Sequence, residues 1–546
     1  MKRSKIKNTL DTVPIWVTGS MLGVALLMIV ALLGLILVQG LGAFWPQPLW
    51  KISLNNGQEY LALDHRGEVI PAQEDSAGEP LRRTLYRIGN KDLYGKDFVW
   101  IDHSEIKSLE RPREAVAVER LEWGPLYGYV QAVIARGVQS SGRSDEVWNK
   151  LQEQLPLAAK RRKKIHELEK AEIGRISGKI SQARLDIKKV ELKMDPGSLR
   201  AREMIDAQQK RIKDLNEKYE EAAKTLAELR AEDREFEVLF RTVEGHEKSL
   251  PISSIVRLYE PNRLTWFGKA GVYLSRMAEF ILGQPREANS EGGVAPAIFG
   301  TVMMTLIMTI AVVPLGVLAA FYLHEYAKQG PMVSGVRIAV NNLAGVPSIV
   351  FGVFGVGFFC YMVGGTIDQL FYPERLPSPT FGGGGILWAS LTLALLTLPV
   401  VIVSTEEALA AVPNSVREAS LACGATKFQT VWKVVMKAAT PGILTGAILA
   451  MARGAGEVAP LMITGVVKLA PDLPVDAVWP YLHFDRKFMH LGFHIYDVGF
   501  QSPNIEASKA MVYMTSLLLL TIVVCLNISA MQIRARLRGE LRDAAT

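Results

Sequence analysis

Cysteine is the scarcest informative residue: three in 546. Cys360, Cys423 and Cys525 all lie in the second half, and residues 42–296 contain none. A disulfide framework is therefore excluded, and no cysteine pair has metal or redox spacing. The chain also lacks a G-x-x-x-x-G-K-[S/T] loop, so nothing in it is built to cradle nucleotide phosphates. His324-Glu325 begins like a metal-ligand pair, but no H-E-x-x-H follows, and it reads as a surface cap. The net charge of +7 is modest for this length and is not gathered into a nucleic-acid footprint. Nucleic acid is not an expected partner, and no metal site is expected.

What is present is apolar length. Hydrophobic residues make up 49% of the chain, but the average hides two populations. Residues 50–290 are charged, whereas most of the remainder is apolar in runs of spanning length. The runs predict six membrane helices: Trp16–Leu41, Ala297–Tyr322, Ile338–Val363, Ile386–Ser404, Gly442–Val467 and Ala510–Met531. The first follows "MKRSKIK" but is longer than a signal-peptide core and is not followed by a small-residue cleavage site, so it reads as an uncleaved span. Six spans put both ends on one side. Lys2, Arg3, Lys5 and Lys7 in the N-tail (1–15) and Arg534, Arg536, Arg538 and Arg542 in the C-tail (533–546) make that side cytoplasmic. The loop at about 405–437, with Arg417, Lys427, Lys433 and Lys437, falls on the same side. Residues 42–296 then lie outside.

That outside segment has two textures. "KISLNNGQEYLAL" alternates apolar residues around an Asn56-Gly57 turn signal, and "SSIVRLYEPNRLTWFG" regains strand character later. Between them, from about 145 to 244, Ile173, Ile176, Ile180, Ala183, Ile187 and Val190 follow helical 3–4 spacing, as do Ile212, Leu215, Tyr219, Ala222 and Leu226. Pro196-Gly197 breaks the run. The expected domain is a β-rich base carrying an antiparallel coiled-coil hairpin, each arm reaching about 60 Å. It serves either as a rigid spacer or as a docking arm for an external partner. The expected fold class is mostly α: a polytopic membrane protein with six transmembrane helices, of which the last five form a core over 297–532, plus an α+β periplasmic domain.

"REASLACGATKFQTVW" (Arg417–Trp432) is a half-polar helical stretch between two apolar runs, with Gly424 in its middle. Read from its residues it is an interfacial helix or a bent protrusion offered to a partner. Glu418-Ala419-Ser420 followed by Gly424 resembles the "EAA…G" coupling loop of ABC importer permeases, although Val434-Val435-Met436-Lys437 stands where the usual I-x-L-P ending would be. "NNLAGVPSIVFGVFG" (341–355), "LTLPVVIVSTEEALAAVP" (396–413) and "ARGAGEVAPLMITG" (452–465) together resemble the PstA-type permease of phosphate-specific importers. This resemblance covers about 297–535. It implies the type I importer fold and a coupling role for Arg417, Glu418, Ala419, Ser420 and Gly424. No cofactor is bound by this chain; a separate ATPase homodimer (PstB-type) would use ATP and magnesium. The other implied partners are a second permease subunit (PstC-type), a periplasmic phosphate-binding protein, membrane lipid and a phosphate-signalling protein. The implied place is the bacterial inner membrane.

Arg453 and Glu457 lie four apart on an expected spanning helix and so share a face. Charges inside a membrane are costly and normally face a bundle interior or a water-filled path. The pair is either a structural ion pair or an anion contact, in which the planar Arg453 guanidinium suits phosphate oxygens. Asn341 and Asn342, at the expected start of the third span, line the path or hold helices together. Arg417 is a positive-inside anchor or a part of the coupling contact. Two kinds of function follow: an ATP-driven importer of phosphate or another oxyanion, and a mechanical transmission protein in which an ATPase moves a periplasmic partner through the coiled coil.

Overall fold

The computed structural model describes residues 2–70, 81–141, 145–195, 198–476 and 481–543. Pro196 and Gly197, at the expected reversal of the hairpin, lie outside the described residues. Six helices are long and apolar enough to cross a membrane: Trp16–Gly42, Ala295–Tyr326, Ser348–Phe371, Ile386–Ala410, Lys427–Gly456 and Ile505–Arg536. The fourth is the axis of the bundle, with 67% of its apolar window buried. Small residues let neighbours approach it closely. A Cβ at Gly446 or Gly442 on the fifth span would run into Ser404 or Ala408, and one at Gly316 on the second into Val401. The first span is the opposite case. Its apolar window is unburied, and it meets the last span at Gly40, where Leu517 approaches.

Two spans differ from the sequence expectation. The third is not one helix over Ile338–Val363. Pro331–Leu343 is a separate helix, a turn covers Ala344–Pro347, and a new helix starts at Ser348. Pro347 has no N–H to give and keeps Val346 out of the helical region. The first half packs along the fourth span, with Val333 and Val340 clustered against Leu398 and Ile402 and Arg337 Nε 3.1 Å from Glu406. The fifth span begins at Lys427, inside the expected loop at 405–437, and does not continue to Val467. Its helix stops at Gly456, Glu457 is already extended (φ −79°, ψ 134°), and a short helix, Leu461–Thr464, follows Pro460.

The domain between the first two spans contains two large antiparallel sheets, besides a two-stranded pairing of Pro285–Arg286 with Glu291–Gly292. The strands of the large sheets are β1 (Trp50–Leu54), β2 (Glu59–Ile70), β3 (Leu81–Arg87), β4 (Phe98–Asp102), β5 (Ile106–Glu110), β6 (Val116–Arg120), β7 (Leu126–Ala135), β8 (Val138–Ser141), β9 (Phe236–Arg241), β10 (Glu247–Pro251) and β11 (Ile255–Tyr259). The first sheet has the order β4-β3-β2-β1-β5; the second runs β10-β9-β7-β6-β11 with β8 beside β7. The β1–β2 hairpin turns at Asn56-Gly57, with Gly57 at φ +86°. The long arm leaves after β8 and returns into β9, so its root is held by a central strand. Val147, Leu151 and Ala158 of its first helix pack into the same cluster as Val116, Val133 and Val238. Farther out, Ile176 and Ile180 meet Leu215 and Ala222 across the two helices Gly174–Lys193 and Leu199–Arg234.

The domain is fastened to the spans by polar groups. Asn262 bonds Leu49 both ways, accepting from its N–H at 3.0 Å and donating to its carbonyl at 2.8 Å. Arg276, on the helix Trp266–Leu282, donates to Glu119 at 2.7 Å and to the Phe44 carbonyl at 2.9 Å; Arg257 also bonds Glu119. Burial pushes the Glu119 carboxyl up, but the Arg276 and Arg257 guanidiniums outweigh this and hold it below the usual range. Beyond that helix, Glu287, Ala288 and Asn289 all adopt positive φ. Asn289 is buried and donates to the Lys468 carbonyl (3.1 Å) and to Asp497 (3.2 Å), in the segment between the fifth and last spans.

Candidate translocation and coupling sites

The two interrupted spans meet. Gly352, on the helix that begins at Ser348, packs on Pro460 and Ile463 just beyond Glu457. Their depth is set by Gly454, which abuts Met308. Met308 lies 13 residues into the helix starting at Ala295, about 20 Å along its axis. The fifth span therefore ends well inside the bundle. Arg453 sits in its last turn and Glu457 just past its end, so the pair does not share a helical face. Arg453 Nε is 3.8 Å from Glu457 Oε1, and their side chains are 40% and 24% exposed. That is a loose pair, not a tight internal clamp, and among the described residues the guanidinium donates no hydrogen bond. Asn341 and Asn342 close the Pro331–Leu343 half-helix just before the break and are exposed. Among the described residues no hydrogen bond joins them to Arg453 or Glu457; what the four share is position beside cut helix ends.

Cut ends matter because they free backbone groups and expose helix termini to the interior. The N-terminus at Ser348 presents the positive end of a helix dipole, which favours negative charge. An arginine with unused donors and a helix N-terminus near the middle of an apolar bundle can receive an anion shorn of water.

On the opposite end of the bundle from the β domain, Asn414–Ala422 forms a short helix, Gly424 turns at φ +84°, and Lys427–Gln429 starts the next helix. Thr426 caps that start in a reciprocal box with Gln429. Ser420 bonds Thr430 at 2.9 Å, tying the two helices across the turn. Glu418 and Ala419 are exposed, as are Val416 and Leu421, so the element offers a mixed apolar and acidic knob to something beyond the chain.

Arg417 is turned the other way. Its guanidinium donates to Glu325 at 2.8 Å and to the carbonyls of Val412 (2.6 Å) and Leu409 (2.8 Å). It pins the knob to the end of the second span. Glu325, read from sequence as part of a surface cap, is half-buried, its side chain 9% exposed. The signal available was an acid at the very end of an apolar run, opposite an arginine in the next loop on the same side. Sequence reasoning also missed Arg337–Glu406, Asn289–Asp497 and Asp368, whose carboxylate collects the N–H groups of Phe381 and Gly382.

Residues 312–539 match the family of binding-protein-dependent transport system inner membrane components. A phosphate transport system permease protein PstA of Mycobacterium leprae is 40% identical over 173 residues, which is 32% of this chain and 51% of that protein. The phosphate transport system permease protein PstA 1 of Mycobacterium tuberculosis is 32% identical over 243 residues, 44% of this chain and 71% of that protein. The probable ABC transporter permease protein YqgI of Bacillus subtilis is 31% identical over 236 residues, 42% of this chain and 74% of that protein. The chain thus spans about half the length of the first of these and over two thirds of the other two.

Proposed function

The chain belongs to the family of PstA-type ABC permeases, and from that premise we propose that it is the membrane subunit of an ATP-driven phosphate importer. The observation that carries the anion reading is Arg453, in the last turn of the fifth span where that helix ends deep in the bundle, with no hydrogen-bond partner for its guanidinium among the described residues. Arg453 receives the anion, Glu457 holds the guanidinium between passages, and Asn341 and Asn342 offer exposed amide donors at the end of the helix Pro331–Leu343. A second permease closes this open face. The Glu418–Leu421 knob seats in a separate ATPase, and Arg417 carries its motion to the second span through Glu325. The β domain lies on the periplasmic side, where a phosphate-binding protein delivers the anion. Both termini are cytoplasmic.

The test is uptake by vesicles holding this chain, a second permease, the ATPase and the binding protein. ATP-dependent phosphate uptake that Arg453→Gln abolishes supports the reading. Uptake of molybdate or sulfate in its place would keep the importer and change the oxyanion.

The arm favours one other reading. Lys188 donates to the Leu376 carbonyl at 2.7 Å, so the arm rests on the loop between the third and fourth spans. A transmission protein that moves a periplasmic partner through this contact would hydrolyse ATP through its partner subunit without uptake of any oxyanion.

A further inference from the structure

The arm is held at two points. At its root, Arg161 pairs with Asp233 at 3.1 Å and Arg162 donates to the carbonyls of Ser253 and Ile255. At its far end Lys188 reaches Leu376, beside the Pro373–Arg375 turn. From Arg162 to Lys188 the helix covers about 40 Å. The arm therefore lies as a beam from the β domain to the loop between the third and fourth spans, and Lys188 marks the face turned toward the bundle.

The opposite face is charged in one sense. The helix Gly174–Lys193 carries six Lys or Arg against Asp186 and Glu191, whereas its partner Leu199–Arg234 carries nine of each sign. At 100° per residue, Lys189, Lys193, Arg175 and Lys179 fall about 100 to 180° around the helix from Lys188. All four are exposed, and among the described residues none makes an ion pair. They form a ridge beside the seam of Ile176 and Ile180, interrupted only by Asp186, which accepts from Gln182 at 3.1 Å. A ridge pointing away from the spans cannot lie on lipid headgroups. Its charge and exposure suit an acidic surface on a soluble protein.

We propose that this ridge is a docking rail for an acidic face of the importer's solute-binding protein; the inference rests on the importer reading above. Charge complementarity of this kind steers encounter and sets its salt dependence more than the maximal rate. The experiment uses the whole complex in nanodiscs. It measures the binding-protein concentration that half-maximally stimulates ATP hydrolysis, at low and high salt. Combining Arg175→Glu, Lys179→Glu, Lys189→Glu and Lys193→Glu should raise that concentration roughly tenfold at low salt, flatten its salt dependence and leave the maximal rate unchanged. Lys210→Glu with Lys213→Glu, on the other helix, should change it far less. Circular dichroism checks that the arm stays helical. An unchanged concentration, an equal change in the control, or an effect that follows lipid charge instead of binding protein overturns the rail. If the wild-type complex shows no stimulation at all, the importer reading falls and the rail falls with it.

Discussion

Arg417 sets its guanidinium 2.8 Å from a carboxylate oxygen of Glu325, a residue 92 positions earlier, and so locks the knob on one end of the bundle to the tip of the second span. The same side chain also closes the end of the fourth span by donating to the Leu409 and Val412 carbonyls. One residue thus joins three elements: the knob and the ends of the second and fourth spans.

Arg417→Ala takes the guanidinium from a half-buried carboxylate and leaves it only the neighbouring His324 ring, 3.1 Å away. The expected cost is about 3 kcal/mol, read as a lower melting midpoint of the purified protein. Replacing both members, Arg417→Met with Glu325→Leu, should recover most of that stability without recovering coupling, seen as ATP hydrolysis that no longer drives uptake.

Arg453→Gln should abolish anion movement while the chain still assembles, because its 3.8 Å contact with Glu457 contributes little to packing. Arg453→Lys should keep part of the activity, with charge retained and the planar fork lost. Uptake and size-exclusion profiles decide: a variant that fails to assemble would make the pair structural.

Gly424→Ala puts a Cβ on a residue at φ +84°, although open space surrounds it. The cost is backbone strain alone, about 1 kcal/mol. Uptake should fall while ATP hydrolysis by the isolated ATPase is untouched. Normal uptake would show that the turn need not be left-handed.

Glu119 makes the domain acid-sensitive. A carboxyl held below its ordinary pKa contributes stability that is complete above about 4.3 and is lost as pH falls through its lower folded value. The melting midpoint should drop steeply below about pH 4. Glu119→Gln should start lower at pH 7 and show a shallower acid limb, and parallel limbs would remove Glu119 as the cause.

Replacing residues 167–230 with a short Gly-Ser linker should leave maximal phosphate uptake in place and raise the binding protein needed for it. The cut stops short of β9, since that strand lies between β10 and β7 and its loss would open the second sheet. Complete loss of uptake would favour the lever reading.

The apolar runs made the six spans legible, because length and hydropathy are local properties. Ends were less so. Pro347 was in plain sight, but a window average carried the third span from Ile338 across it, and Gly456 ended the fifth span where hydropathy ran on. In the β domain, the strands at Trp50–Ala62 were readable from alternation and the Asn56-Gly57 turn. The sheet order was not, since β9 enters the second sheet from the far side of a 90-residue arm and no local pattern encodes that pairing. At the sites, residue type pointed to Arg453 and Arg417, whereas their surroundings needed coordinates. Whether an arginine faces outward or spends its donors on Glu325 is decided by tertiary packing.

The two bonds between Asn262 and Leu49 have a consequence for ancestry. They bring the residues where the β domain leaves and regains the spans side by side, so the module closes on itself before rejoining the membrane part. A domain hinged in this way can be grafted into, or dropped from, the turn after a first helix without rerouting anything behind it. Lineages would then be free to acquire or shed the whole outer apparatus, arm included, in a single step.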